Sequence, residues 1–362
     1  MDHNGRLNRL QEMMRDEQIP LFLVTAPENC AYLTGICGHE PLDISLVIRQ
    51  EKAVAICSPL YLEAMSSSSF DCLPWAGSFR ETFGKEIETQ GSRKIAVEGH
   101  RLTWALYRML VSQLPGGEIT DAGKLVEKLR LLKDEDEIAL ISEACAITDR
   151  SLTAVLPSIR EGMTERSVAW MIEQSMRDQG AENVSFRPLI VAAGSASSEP
   201  HHEPGDRTIV SGDLIQFDIG ARYRGYGADL SRVAVLGPPS VEQTHLFDLV
   251  LQVQAHGIAS VRAGADGALI DAECKKMVEA AGLPAYPHGL GHGIGLAPSV
   301  HEDPFLSSRA SAPVFLQSGM VVTVEPGVYL RGNFGVRIED VVLVQDSEAR
   351  LLSQADKSLI VL

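Results

Sequence analysis

Leu214-Ile-Gln-Phe-Asp218-Ile-Gly220 and Asp229-Leu-Ser-Arg-Val-Ala-Val235 are two apolar runs, each carrying an acid, on either side of Arg224-Gly-Tyr-Gly227. Apolar runs joined by a glycine-bearing turn predict a β-hairpin. Centred between Tyr223 and Arg224, that hairpin sets Asp218 directly opposite Asp229. Opposed residues share a sheet face, with Cβ atoms about 4.5–5.5 Å apart. Asp218 stands between Phe217 and Ile219 in a run that otherwise reads as buried, which argues against two acids merely placed on a wet face.

The pattern recurs further along. Val321-Val-Thr-Val-Glu325-Pro-Gly-Val-Tyr329 and Gly335-Val-Arg-Ile-Glu339-Asp-Val-Val-Leu343 flank the turn Arg331-Gly-Asn-Phe334. Centring this second hairpin on Gly332 sets Glu325 across from Glu339. Four carboxylates brought together repel in six pairs, each costing roughly 4 kcal/mol at about 4 Å and an effective dielectric near 20. The total exceeds a typical domain's stability of about 5–15 kcal/mol. The acids are therefore far apart, protonated, or holding cations, and cations are the economical answer.

A neutral nitrogen ligand is available in His288-Gly-Leu-Gly-His292-Gly-Ile-Gly295, whose glycines let an imidazole enter a crowded site. The run does not satisfy G-x-G-x-x-G and does not stand between a strand and a helix, so a nucleotide loop is a weak reading. An oxygen-rich set with one imidazole suits Mn, Co, Fe or Zn, and adjacent bridging carboxylates suit two ions. His-Glu-x-x-His, Gly-x-Ser-x-Gly and P-loop signatures are absent from the sequence.

The 362 residues suffice for two domains, and 45% apolar with 22% charged residues is a globular balance. Lys and Arg total 32 against 48 Asp and Glu, a net charge of −16. That field disfavours nucleic acid and membrane-surface partners. No run is long and apolar enough to span a bilayer, and Met1–Arg6 leads into an amphipathic pattern without a secretion signal's apolar core. Six dispersed cysteines without a Cys-x-x-Cys pair point to a reduced, cytoplasmic chain.

Residues 20–25, 44–49, 53–57 and 94–98 read as strands among helical patterns, a mixed α/β unit without clustered reactive groups. Asp134 and Thr164 then open two helices, and 241–261 and 267–281 carry two more. The expected domains are 1–124 and 125–362.

Taken together, these motifs resemble the pita-bread metallopeptidases, the group of Xaa-Pro aminopeptidases, Xaa-Pro dipeptidases (prolidases), methionine aminopeptidases and creatinase. The likeness rests on Gln216-Phe-Asp-Ile-Gly220, Gly225-Tyr-Gly-Ala-Asp-Leu-Ser-Arg232, His288–Leu296, Thr323-Val-Glu-Pro-Gly-Val-Tyr329 and Val336-Arg-Ile-Glu-Asp340. It implies an α+β chain whose C-terminal pita-bread fold, an antiparallel sheet with helices, follows a smaller creatinase-type α/β domain. Methionine aminopeptidases lack that first domain, which points to the proline-directed branch.

Position by position, the resemblance implies five metal ligands. Asp218 would bind one ion in bidentate fashion, Asp229 and Glu339 would bridge, and His292 and Glu325 would complete the other ion. It further implies His201 and His301 as catalytic hydrogen-bond donors, and His288, Tyr329 and Arg337 as substrate-binding residues. His201 rather than His202 fits the family's spacing, and two extra residues within Ala297-Pro-Ser299 precede His301. The implied activity is hydrolysis of the Xaa-Pro bond of dipeptides or peptide N-termini, through a metal-bridging hydroxide with Glu325 as proton shuttle. Two divalent ions per chain, Mn favoured, a small peptide substrate and a homodimer are implied as well. The alternatives are a same-fold metal-dependent hydrolase or lyase acting on a small non-peptide substrate, a metal-free creatinase-type enzyme, and a non-catalytic binding protein. The last two are disfavoured because all five ligands are kept.

Overall fold

The computed structural model describes residues 1–75, 77–90 and 93–362. The chain divides into two compact units, Met1–Arg130 and Leu131–Leu362.

The first unit is built on a six-stranded mixed sheet. Its strands run in the order Asp71–Pro74, Ala53–Cys57, Ile44–Arg49, Leu21–Val24, Lys94–Val97, Glu118–Asp121. The turn at Gln50-Glu51-Lys52 joins Ile44–Arg49 to Ala53–Cys57 antiparallel, as their polar link suggests. Helices Phe79–Gln90 and Trp104–Gln113 bury Phe83, Ile87, Leu106 and Leu110 against Leu23, Val47 and Ile95. The sequence division at 124/125 precedes helix Leu125–Arg130. That helix belongs to the first unit, where Leu125 and Val126 are buried, Arg130 donates to Asn29 Oδ1 at 2.7 Å and the Leu129 carbonyl accepts from Tyr32.

The second unit holds two main sheets. One is ordered Ile360–Val361, Leu230–Val235, Leu214–Ile219, Ile190–Ala193. Helices Glu135–Val155 and Glu165–Asp178 cover it, burying Ile147, Val168 and Ile172 against Val191, Ile215 and Phe217. The other is antiparallel, ordered Glu302–Leu306, Gly291–Gly293, Val321–Val324, Asp340–Leu343, Arg350–Leu351. Val250, Val253, Ile270 and Cys274 of helices Val241–Ser260 and Gly267–Ala280 pack with its Val322, Val324 and Val342. Asp134 caps the first of these four helices with a full capping box, and Thr164 caps the second.

Both hairpins form, one with a corrected register. Asp218 pairs with Ser231, not with Asp229. The turn is centred between Arg224 and Gly225, which have φ of 49° and 86°, and Tyr223 pairs with Tyr226. A two-residue turn of this hand needs positive φ at both central positions, and Arg-Gly supplies that where Tyr-Arg does not. Moving the centre by one residue slides the pairing by two. Strand periodicity is also two, so Asp218 and Asp229 remain on one face as diagonal neighbours. The second hairpin has the expected register: Val324 pairs with Asp340 and Gly327 with Arg337, so Glu325 and Glu339 lie opposite each other between the two pairs.

A candidate metal centre with a hydrogen-bonded wall

The alternation along Leu214–Ile219 explains why Asp218 interrupts an apolar run. Ile215, Phe217 and Ile219 enter the core under the helices, while Leu214, Gln216 and Asp218 face the other way. Asp229 immediately precedes Leu230–Val235, Glu325 follows Val321–Val324, and Glu339 precedes Asp340–Leu343. His292 is the middle residue of a strand pinned between two others. A Cβ on Gly291 would strike the Thr323 carbonyl, and one on Gly293 the Asp303 carbonyl. The glycines thus let neighbouring backbones close on both sides of the histidine.

All five residues line a single cavity of about 1030 Å³. One donor atom from each of Asp229, His292 and Glu339 lies within 4.8 Å of the others. His292 Nε2 is 3.6 Å from Asp229 Oδ2 and 3.4 Å from Glu325 Oε1. Its Nδ1, 2.9 Å from the Gly293 carbonyl, donates there, which leaves Nε2 facing the acids. Asp218 Oδ1, Asp229 Oδ1 and Glu339 Oε1 are buried acceptors without a hydrogen-bond partner. Acceptors orphaned together around an imidazole fit divalent cations.

The electrostatics agree. Burial first, then the Asp218 carboxylate, pushes the Asp229 carboxyl well above the usual range. Burial, then Asp229, Glu325 and Asp218, does the same to Glu339. Burial lifts Glu325 to about 7, with His292 and Arg337 opposing the rise. Burial and mutual repulsion thus disfavour ionised acids here unless a cation offsets their charge.

A hydrogen-bonded wall borders the acids, and its donors can be ordered. His288 Nδ1 is 2.8 Å from the Gly289 carbonyl and must donate, leaving Nε2 to accept from the Tyr329 hydroxyl at 2.9 Å. Tyr329 in turn accepts from Arg337 at 2.8 Å, and Arg337 reaches Asp218 Oδ2 at 2.5 Å. Asp218 therefore offers Oδ1 freely while Oδ2 is held by a guanidinium. Tyr329, the middle member of this wall, lines an adjoining cavity rather than the main one, which His288 and Arg337 line.

His201 and His301 both line the cavity. The pairing register of Glu302–Leu306 jumps beside His292, from Phe305 to Glu302, yet the His301 ring still lies 4.1 Å from that of His292. His301 Nδ1 donates to the Ser299 carbonyl at 2.8 Å, and burial followed by His292 lowers its pKa to about 4. In the neutral ring Nε2 is then an acceptor. His202 lines the cavity as well, but its Nε2 is engaged, 2.8 Å from the fully buried Glu165 carboxylate.

Two supporting residues escaped the sequence reading. Ser231 Oγ donates to Glu339 Oε2 at 3.0 Å and accepts from Arg337 Nε at 2.9 Å. Thr323 Oγ1 accepts from the His292 amide at 3.0 Å and donates to Glu325 Oε1 at 3.3 Å. The signal for Ser231 was its pairing with Asp218, hidden by the two-residue slip; for Thr323 it was the strand alternation that puts it on the face of Glu325.

Known proteins carry the same two-part plan. The pattern of metallopeptidase family M24 matches residues 139–346, and that of the creatinase/prolidase N-terminal domain matches residues 6–132. The uncharacterized peptidase YqhT of Bacillus subtilis is 35% identical over 360 residues, covering 99% of this chain and 100% of its own. An Xaa-Pro dipeptidase from Bacillus anthracis is similar at TM-score 0.93 and 32% identity, over 99% of this chain and 100% of that one. An X-Pro aminopeptidase from Thermotoga maritima is similar at TM-score 0.90 and 32% identity, over 98% and 99%. With a catalytic-unit match that contains every acid and imidazole of the cluster, the chain belongs to the M24 metallopeptidases, its pita-bread unit preceded by a creatinase/prolidase-type N-terminal domain.

Proposed function

We propose that the protein hydrolyses the Xaa-Pro bond of dipeptides or peptide N-termini, using two divalent ions, Mn favoured, held by Asp218, Asp229, His292, Glu325 and Glu339. The observation that carries this is the set of three buried, partnerless carboxylate oxygens facing one imidazole in a cavity of peptide size. The dipeptidase and aminopeptidase names of the similar structures support the proline-directed substrate. Six cysteines, none in a disulfide, fit a reducing cytoplasm, and a homodimer is part of the same reading.

Bound divalent ions supply a more acidic water and a polarised carbonyl. The chain's own residues do the rest. Glu325 takes the proton of the attacking water and hands it to the proline nitrogen, which leaves as a secondary amine. His201, exposed in the cavity, donates to the developing oxyanion. His301 accepts through Nε2 from a hydrogen-bearing group of the substrate, such as its amino terminus. Arg337 and the wall behind it hold Asp218 in place.

The test is paired. Protein purified without chelator and reloaded with Mn²⁺ should approach two ions per chain and release proline from Xaa-Pro dipeptides. A reproducible zero metal content would defeat the ligand assignment; full loading with turnover only of non-peptide amides would defeat the substrate assignment.

A further inference from the structure

Arg222 takes no part in the steps proposed above and does not line the cavity, yet its guanidinium meets backbone carbonyls from three parts of the catalytic unit. It lies on the short strand Ala221–Tyr223. Nη1 donates to the Gly225 carbonyl at 2.6 Å, in the turn of its own hairpin. Nη2 donates to the Ser185 carbonyl at 2.9 Å. Ser185 is stitched to the same strand, its hydroxyl donating to the Ala221 carbonyl at 2.8 Å. These two contacts give the guanidinium a fixed base. From it, Nη2 also donates to the Ala297 carbonyl at 2.9 Å and, more weakly, to that of Pro298 at 3.4 Å. A planar fork of donors held at one end dictates where the carbonyls at its other end must lie.

The segment gripped in this way leads directly to His301. The Ala297 carbonyl accepts from the Val300 amide as well, at 3.1 Å, which closes a turn. Val300 is buried and has φ of 65°, a left-handed conformation that β-branched residues rarely adopt. Such backbone persists only where its surroundings over-determine it. Beyond His301, Glu302 is held by the buried Lys133 ammonium at 2.9 Å. His301 therefore stands between two anchors, and Arg222 is the one on its N-terminal side. The two residues that lengthen the connection ahead of His301 fall within Ala297–Ser299, the stretch that Arg222 grips. A longer connection has more conformations to lose, so fixing it takes further contacts.

Resting on the Xaa-Pro reading, we infer that Arg222 is a positioning residue: it clamps Ala297 and Pro298 so that His301 stays beside His292, where it meets the substrate. Arg222 touches neither substrate nor proposed ligand. Its effect on the reaction passes through the placement of the His301 ring, 4.1 Å from that of His292.

The experiment compares the full-length wild type with Arg222→Met, which removes the donors, and Arg222→Lys, which keeps the charge without the fork and stands in where the methionine variant fails to fold. In one arm, hydrogen exchange of the metal-free proteins is followed by mass spectrometry. Both variants should exchange faster than wild type across residues 296–304 and at the same rate across 214–219. In the other arm, kcat/KM of the Mn²⁺-loaded enzyme for Ala-Pro should fall about tenfold or more in Arg222→Met, and less in Arg222→Lys. On a His301→Ala background, either substitution should change kcat/KM by no more than about twofold, because the group being positioned is gone. Unchanged exchange across 296–304 overturns the inference. Effects of Arg222 and His301 that simply multiply also overturn it, because Arg222 then acts by another route. A wild type without Xaa-Pro turnover defeats the Xaa-Pro reading, and the exchange arm alone then upholds or overturns the clamp.

Discussion

Ser231 stands directly across the sheet from Asp218, and its hydroxyl ties Glu339 to Arg337. Its backbone joins the same arrangement, the Ser231 carbonyl accepting from the Glu339 amide at 3.1 Å and from Arg232 at 2.9 Å. One oxygen of Glu339 is thus occupied and the other is left bare. A small fully buried hydroxyl fixes which carboxylate edge faces the proposed ions.

Ser231→Ala removes that hydroxyl and leaves Arg337 Nε and Glu339 Oε2 short of a partner. Groups that orient ligands typically contribute 10–100-fold to metal affinity. Calorimetric titration with Mn²⁺ should show weakening of about that size, and Ser231→Thr should restore most of it. Unchanged affinity in the alanine variant would show that the hydroxyl does not orient Glu339.

Glu325→Ala should lower turnover of Ala-Pro by at least about 10²-fold, the lower end of what general acid–base groups contribute. The metal-free protein should melt no lower than wild type, because burial and neighbouring acids already disfavour the ionised Glu325 carboxyl. Wild-type rates in this variant would remove Glu325 from the proton path.

His288 gives a pH dependence of defined sign. Burial, then the Arg337 guanidinium, lowers its pKa from 6.5 to about 4. The folded state therefore resists a proton that the unfolded chain accepts below about 6.5. This contribution to stability is complete above pH 6.5 and is lost as pH falls toward 4. For a half-buried ring it is worth on the order of 2 kcal/mol. His288→Gln, which can still accept from Tyr329, should flatten that part of the melting-temperature profile. An acid limb of equal slope in both proteins would rule His288 out as its source.

Much of the architecture was legible because its signals are local. Asp134 and Thr164 cap helices wherever they fall, and the alternation around Glu325 and Glu339 sets their register once Gly332 marks the turn. The first hairpin was misread by one residue at its turn because backbone φ, not hydropathy, chooses the centre. The period of two preserved the shared face and with it the acid cluster. Less legible were contacts with no local signature: Glu165 reaching His202 across 37 positions, and Ser231 reaching Glu339 across 108. Ring tautomers were also hidden, since only the placement of the Ser299 and Gly289 carbonyls shows which nitrogen donates.

The adjacent histidines 201 and 202 separate catalysis from scaffolding. His201 is exposed in the cavity, whereas His202 is clamped to Glu165, whose carboxylate also accepts from the Ala193 amide at 2.8 Å and the Gly205 amide at 3.2 Å. Removing the His201 ring takes away a donor to the reacting carbonyl while leaving that buried acid satisfied. His201→Ala should therefore lower kcat by about 10²-fold or more, with a melting temperature near wild type. His202→Ala removes one of the three hydrogen bonds to the buried Glu165 carboxylate, a cost of about 1 kcal/mol, so its melting temperature should drop by a few degrees. Its kcat should change far less, with any loss of activity appearing in KM as the segment carrying His201 loosens. Measuring both variants by thermal melting and steady-state kinetics decides the matter. If His202→Ala proves the slower enzyme at an unchanged melting temperature, the two roles are exchanged.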